Sequence, residues 1–215
     1  DNKITLNDFK KSKTRFKKSP SQKFVSNYIS KNTPYNGLLL WHGVGVGKTC
    51  AAISIAENFK EFVYKNNKKI LILIPSDTFN QTWRDEIFNV KKELDKMYNK
   101  KFVGNVQCTG NKYLLELGDF INKDPTNIPR KANFIINKYY KIIGYRSLTN
   151  DIEREFKRLT RYMVKNKEKA KINYIKSRFS NRVIIMDEAH VTRKSTIGKK
   201  HKIISPYLEM IARYA

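Results

Sequence analysis

The stretch from Leu38 to Thr49 constrains this chain more than any other: Leu-Leu-Leu-Trp-His-Gly-Val-Gly-Val-Gly-Lys-Thr. An apolar run, Leu38 to Trp41, ends in three glycines at alternate positions and then in Lys-Thr. The run reads as a buried strand and Cys50 to Ala56 as a helix, which is the strand–loop–helix setting of a phosphate-binding loop. Glycine cheaply enters the φ/ψ regions that let successive N–H groups curl around an anion. The helix N-terminus behind the loop adds partial positive charge. Gly43, Val44, Gly45, Val46, Gly47, Lys48, Thr49 and Cys50 are therefore the expected cradle. Lys48 would reach the β- and γ-phosphates, and the Thr49 hydroxyl would bind Mg2+. The strict pattern asks for Gly where this chain has His42. The blander alternative is a glycine-rich turn with a stray lysine.

A second chemical string lies far downstream: Val183-Ile184-Ile185-Met186-Asp187-Glu188-Ala189-His190. Four apolar residues read as a buried strand that delivers two carboxylates at its tip. Asp187 would hold Mg2+, and Glu188 would orient and deprotonate an attacking water.

Charge and cysteine count bound the partners. Lys+Arg is 44 against 19 Asp+Glu in 215 residues, a net charge of +25. Such a surface attracts polyanions, nucleic acid first; a solvated lysine-rich face is the plain alternative. Cys50, Cys108 and the three histidines show no zinc-ligand spacing. The expectation is therefore no disulfide framework and a reducing interior. No apolar run approaches a membrane span, and no signal peptide is evident.

In chain order, residues 1–18 read as a basic arm, with Lys10-Lys11-Ser12-Lys13 and Lys17-Lys18. Ser19-Pro20 starts a helix with Phe24, Val25, Tyr28 and Ile29 on its apolar face. Gln22 lies within it, placed either to read an adenine edge through its amide or simply at the surface. Residues 32–37 are turn chemistry. Ile70 to Ile74 is an uninterrupted apolar run suited to an internal parallel strand, ending at Pro75-Ser76. One helix follows, with Phe79, Trp83, Ile87, Val90 and Leu94 on a face. Further on we expect a strand at 101–108, a turn at 109–111, a loop from Gly118 to Pro129 and a strand at 133–137. Asn150 with Glu153 reads as a capping box opening a strongly basic helical segment to Phe179. Residues 192–202 read as a basic loop, and Pro206 to Tyr214 as a last helix.

Taken in order, His42 to Thr49 and Asp187-Glu188-Ala189-His190 resemble motifs I and II of superfamily 2 helicases of the DEAH-box spelling. Pro75-Ser76 followed by Gln81-Thr82-Trp83-Arg84-Asp85-Glu86 looks like motif Ia. Asn137 to Tyr139 occupies roughly the place of motif Ib. More narrowly, Thr33 to Cys50 and Asn181-Arg182-Val183 look like the helicase-type NTPases of large cytoplasmic DNA viruses, of the poxvirus early transcription factor small subunit and nucleoside triphosphatase I type.

The resemblance implies a three-layer α/β RecA-like lobe over residues 19–215, with a mainly parallel sheet and a basic helical insertion at about 99–180. It implies ATP and Mg2+ as cofactors, Gln22 at the nucleotide, Thr49 and Asp187 at the metal, and Lys48, Asp187, Glu188 and His190 in catalysis. His190 would couple nucleotide state to a second lobe, and Pro75 and Ser76 would touch the nucleic-acid backbone. The implied partners are DNA or RNA, a second RecA-like lobe and a viral transcription complex, in virion or host cytoplasm, with no membrane. Motif III, motif VI and the second lobe are not found in the chain, so we expect a fragment with slow hydrolysis. Arginine fingers supply about 10³–10⁵ in rate where they act. Two rival readings are a transcription-linked ATPase moving on duplex DNA without unwinding it, and a non-hydrolysing scaffold subunit that keeps the fold.

Overall fold

A computed structural model describes residues 17–41, 45, 47–98, 107–110, 112–121, 127–192 and 204–215. The expected basic arm up to residue 16, the loop residues His42, Gly43, Val44 and Val46, most of the expected 101–108 strand and the basic loop from 193 lie outside them. The fold is helix-rich α/β. In order, the elements are α1 (Pro20–Tyr28), α2 (Lys48–Lys65), β1 (Ile70–Ile74), α3 (Asn80–Ile87), α4 (Val90–Tyr98), α5 (Lys112–Ile121), α6 (Ile128–Tyr139), β2 (Tyr140–Gly144), α7 (Tyr145–Thr160), α8 (Lys167–Phe179), β3 (Ile184–Met186) and α9 (Ile204–Tyr214). The chain divides into two compact units, one of 1–61 with 81–140 and one of 62–80 with 141–215.

The second unit is organised on β1. Ile70, Leu71, Ile72, Leu73 and Ile74 are all buried, as a strand covered on both faces requires. The sheet order is β2-β1-β3, and β1 runs parallel to β3 with Leu71 opposite Ile184 and Leu73 opposite Met186. On one face Leu71 and Leu73 pack with Tyr145, Leu148, Ile152 and Phe156 of α7, Ile175 and Phe179 of α8, and Leu208 and Ile211 of α9. The i, i+3/i+4 spacing of these helical residues is what turns them to one side.

In the first unit, α1 packs on α2 through Val25, Ile29, Ala51 and Ile55. Ser19 caps α1 and forms a capping box with Gln22, which satisfies two end N–H groups at once. A nearly buried carboxylate, Glu57, holds α2 to its neighbours. Its Oε1 accepts from the Tyr113 hydroxyl at 2.7 Å and the Tyr140 hydroxyl at 2.5 Å. Lys112 and Lys60 approach its other oxygen at 3.4 and 3.9 Å.

Several expectations need correction. Leu38 to Trp41 is not a buried strand: it has no regular structure, and Leu39 and Trp41 are 72% and 87% exposed. An apolar run shows that a surface favours burial but does not supply a ladder partner. Among the described residues the sheet places only β2 and β3 beside β1.

Residues 133–137 are helical, within α6. Ala132, Ile135, Ile136 and Tyr139 are buried there while Phe134 is 72% exposed, so the period is helical, and Pro129 in the first turn suits a helix start. The strand comes afterwards, at β2. Part of the expected loop at 118–129 is the end of α5 and the start of α6.

Asn150 is interior to α7, which starts after Gly144 rather than at a capping box. The single helix expected after Ser76 is two, α3 and α4, and Phe79 is exposed. The expected basic helical segment is likewise two helices, α7 and α8, broken at 161–166. β3 is half-buried rather than buried. No helix among the described residues is long and apolar enough to cross a membrane.

Candidate functional site

The phosphate-loop residues that are described lie in the first unit. Gly45 and Gly47 adopt φ of +80° and +81°, the left-handed region in which L side chains are strained. Helix α2 begins directly behind them at Lys48, so Lys48, Thr49 and Cys50 form its first turn, where N–H groups lack intrahelical acceptors.

Gln22 is buried against this loop. Its Oε1 accepts from the Ser19 N–H at 3.0 Å, and its Nε2 donates to the Gly47 carbonyl at 3.3 Å. A Cβ on Gly47 would lie 2.7 Å from that nitrogen, so the residue is glycine for space as well as for φ. The Gln22 amide thus braces the loop, with one N–H and one lone pair left for another ligand.

The expectation about the cysteines is overturned. Cys50 and Cys108 form a disulfide across 58 residues of sequence, with Cα atoms 5.0 Å apart. A single long-range pair has no spacing signature to read. The Glu86 carboxylate lies 3.1 Å from the Cys108 sulfur and 3.8 Å from that of Cys50.

The turn carrying Cys108 is itself anchored. The Cys108 N–H donates to the Glu86 carbonyl at 2.8 Å, Thr109 Oγ1 to the Ile87 carbonyl at 2.6 Å, and Gln107 Nε2 to Glu93 Oε1 at 3.0 Å. The first turn of α2 is therefore tied to the α3–α4 corner. Nearby, Arg84 donates to Asn133 at 3.2 Å and to Asn137 at 2.9 Å, so Asn137 is engaged on the exposed face of α6.

The acidic residues lie in the second unit. Leu71 N–H donates to Val183 carbonyl and Asp187 N–H to Leu73 carbonyl, both at 2.9 Å. This parallel pairing brings Asp187 and Pro75-Ser76 to the carboxyl ends of adjacent strands, where α/β sheets bind ligands. Ser76 is exposed and caps the short turn at 77–79 by accepting from the Thr78 N–H.

Glu188 has φ of +49°, unusual for a residue other than Gly, Asn or Asp. Its Oε2 lies 3.1 Å from His190 Nδ1, with both side chains largely exposed. The Tyr145 hydroxyl donates to the Asp187 carbonyl at 2.8 Å. Burial and then the Asp187 and Glu188 carboxylates push the Tyr145 phenol pKa up, so it stays a donor at neutral pH.

The expected site residues thus form two groups. Gln22, Gly45, Gly47, Lys48, Thr49 and Cys50 belong to one unit; Ser76, Asp187, Glu188 and His190 belong to the other. Sequence reasoning missed Tyr145, placed Glu86 only within the motif Ia string, and did not pair Cys108 with Cys50. Only the position of Tyr145, after a short apolar run, hints at a strand end.

The residues present fit a magnesium nucleotide on the nucleotide's side of the problem. Two left-handed glycines, a helix start and a Thr in its first turn are chemically suited to a polyphosphate, and a Cβ at Gly47 would strike the Gln22 amide.

Comparison with known proteins gives the same direction. Residues 10–213 match the family described as type III restriction enzyme, res subunit. The chain is 40% identical over 136 residues, 61% of its length, to the "Putative ATP-dependent RNA helicase L377" of Acanthamoeba polyphaga mimivirus, covering 10% of that protein. It is 30% identical over 176 residues, 79% of its length, to "Putative ATP-dependent RNA helicase R563" of the same virus, covering 23% of it. With "Putative helicase 087L" of Invertebrate iridescent virus 3 it shares 26% over 197 residues, 88% of its length and 16% of that protein. The chain therefore spans a quarter or less of these relatives. No solved structure matches it. The match covers nearly the whole chain, and this protein belongs to the type III restriction enzyme res subunit family, as a superfamily 2 helicase-type N-terminal lobe.

Proposed function

We propose that this lobe binds ATP with Mg2+ and, within a longer protein, hydrolyses it to move on or remodel DNA or RNA. The observation that carries this reading is the pair Gly45 and Gly47, both at left-handed φ, opening straight into α2 at Lys48. The family and the helicase names of its relatives support it, as does the net charge of +25.

In this reading the loop N–H groups and the Lys48 ammonium bind the β- and γ-phosphates. Thr49 and Asp187 are the residues that would hold Mg2+, which neutralises charge developing on the transferred phosphoryl group. Glu188 orients the attacking water and accepts its proton as the water oxygen bonds to the γ-phosphorus and the bond from that phosphorus to the bridging oxygen breaks, releasing ADP. His190, 3.1 Å from Glu188, couples the nucleotide state to the second lobe. Pro75 and Ser76 sit at the strand end where a nucleic-acid backbone would be held.

The wider proposal follows the viral NTPase resemblance. Residues 19–215 are the ATP-binding lobe, with a basic arm before it and a basic helical insertion at about 99–180. A second RecA-like lobe supplies the missing motifs, and the protein works in viral transcription, in virion or host cytoplasm. Phosphate release by the full-length protein, with and without nucleic acid, tests it. Lys48→Ala should abolish ATP binding, and Glu188→Gln should bind ATP and release almost no phosphate. Unchanged biological output from Lys48→Ala would favour a scaffold instead.

A further inference from the structure

The Asp187–Glu188 turn is held from outside its own strand, and what holds it is a side chain that neither motif contains. The carbonyl of Asp187 belongs to the peptide unit that joins the two carboxylate residues. Its partner is the Tyr145 hydroxyl, at 2.8 Å. On the near side of Asp187, the N–H is fixed on the Leu73 carbonyl at 2.9 Å. On the far side, Glu188 enters φ of +49°, a rotation measured from that same peptide plane.

Two hydrogen bonds therefore set the plane from which both carboxylates project. A left-handed φ at Glu costs about 1–2 kcal/mol and persists only where its surroundings enforce it. The Val191 N–H closes the turn on the Glu188 carbonyl at 2.9 Å.

The clamp itself is rigid. Tyr145 is 2% exposed and packs among Leu71, Leu73, Leu148 and Ile152, so its ring cannot swing without disturbing the core. It opens α7, directly after Gly144. A Cβ on Gly144 would lie 3.0 Å from an Asp77 oxygen, so this junction is also packed against the turn that follows Ser76.

We infer that Tyr145 is the positioning residue of the acidic pair: its hydroxyl, bonded to the Asp187–Glu188 peptide, aims Asp187 and Glu188 for phosphoryl transfer. This rests on the hydrolytic reading above. Loss of the hydroxyl removes one neutral hydrogen bond and leaves a carbonyl to find another donor, so the turn relaxes while nucleotide contacts made elsewhere remain.

The test uses the full-length protein with nucleic acid present. Tyr145→Phe should lower kcat about tenfold, the scale of one such bond, with KM for ATP unchanged. Tyr207→Phe is the control. It also deletes a tyrosyl hydroxyl of the same unit, bonded to Glu153 at 3.0 Å, and should leave kcat unchanged. Equal kcat in Tyr145→Phe and wild type, with Glu188→Gln inactive, overturns the inference and leaves the hydrolytic reading standing. Full turnover in Glu188→Gln overturns both.

If Tyr145→Phe does not fold, two ring analogues of tyrosine at 145 replace it: 4-aminophenylalanine, which donates an N–H where the phenol donated its O–H, and 4-fluorophenylalanine, which fills the same space with no donor. The amino analogue should retain kcat and the fluoro analogue should lose about tenfold. Equal kcat in the two would overturn the inference.

Discussion

Breaking the Cys50–Cys108 bridge should unfold the protein more easily by an amount the structure sets. The bridge closes 58 residues of sequence, and the chain-entropy relation gives about 4 kcal/mol for a loop of that size. Part of this is returned on reduction. The Glu86 carboxylate, 3.1 Å from the Cys108 sulfur, has no proton to accept from a disulfide but accepts one from a thiol, worth about 1 kcal/mol. The net is about 3 kcal/mol, or some 6–12 °C in melting temperature for a chain of this size.

Urea unfolding of protein purified without reductant, before and after adding it, reads the difference. Cys108→Ser should start at the reduced midpoint and ignore reductant. Glu86→Gln, which removes the charge that favours the dithiol, should make the bridge easier to form in glutathione buffers. Two titratable thiols per native chain in the unreduced protein would refute the bridge. An unmoved urea midpoint on reduction of a verified bridge would refute the entropic argument.

Other substitutions test separate parts of the account. Gly47→Ala should weaken ATP binding more than Gly45→Ala, because both meet positive φ but only a Cβ at 47 strikes Gln22, at 2.7 Å; equal losses by calorimetry would contradict the Gln22 brace. Ile135→Ala and Ile136→Ala should each cost about 2–4 kcal/mol and Phe134→Ala within about 0.5 kcal/mol in denaturant titrations, since Ile135 and Ile136 are both buried in α6 and Phe134 is exposed; a strand alternates its faces, so a neutral Ile136→Ala would contradict the helix. Burial, and then the hydrogen bond and charge of Glu153, push the Tyr207 phenol up to about 12 from 10. The folded state then holds that proton more tightly, so its contribution is complete below pH 10 and lost as pH rises through about 12. The urea midpoints of wild type and Tyr207→Phe should converge across that window; a constant gap would refute the linkage.

What could be read from the sequence follows from which constraints are local. Ile70 to Ile74 is legible because a doubly covered strand needs nothing polar, and all five residues are buried. Ser19-Pro20 is legible because a cap and a first-turn proline act within four residues. Gly45 and Gly47 are legible because nothing else enters their φ cheaply.

The failures are non-local. Leu38 to Trp41 has the composition of β1, but strand formation depends on a neighbour that composition does not reveal. Residues 133–137 look like a strand over five positions and like α6 only over twelve. Tyr145, Glu86 and Cys108 act through partners 22 to 58 positions away, and no window along the chain joins them.

The central proposal is that Asp187 holds the Mg2+ of the nucleotide that Lys48 binds. The most direct measurement is ATP affinity with and without Mg2+, by calorimetry, for the wild type and Asp187→Ala. The account predicts that Mg2+ tightens ATP binding in the wild type and does so far less in Asp187→Ala. Equal tightening by Mg2+ in both proteins would contradict it.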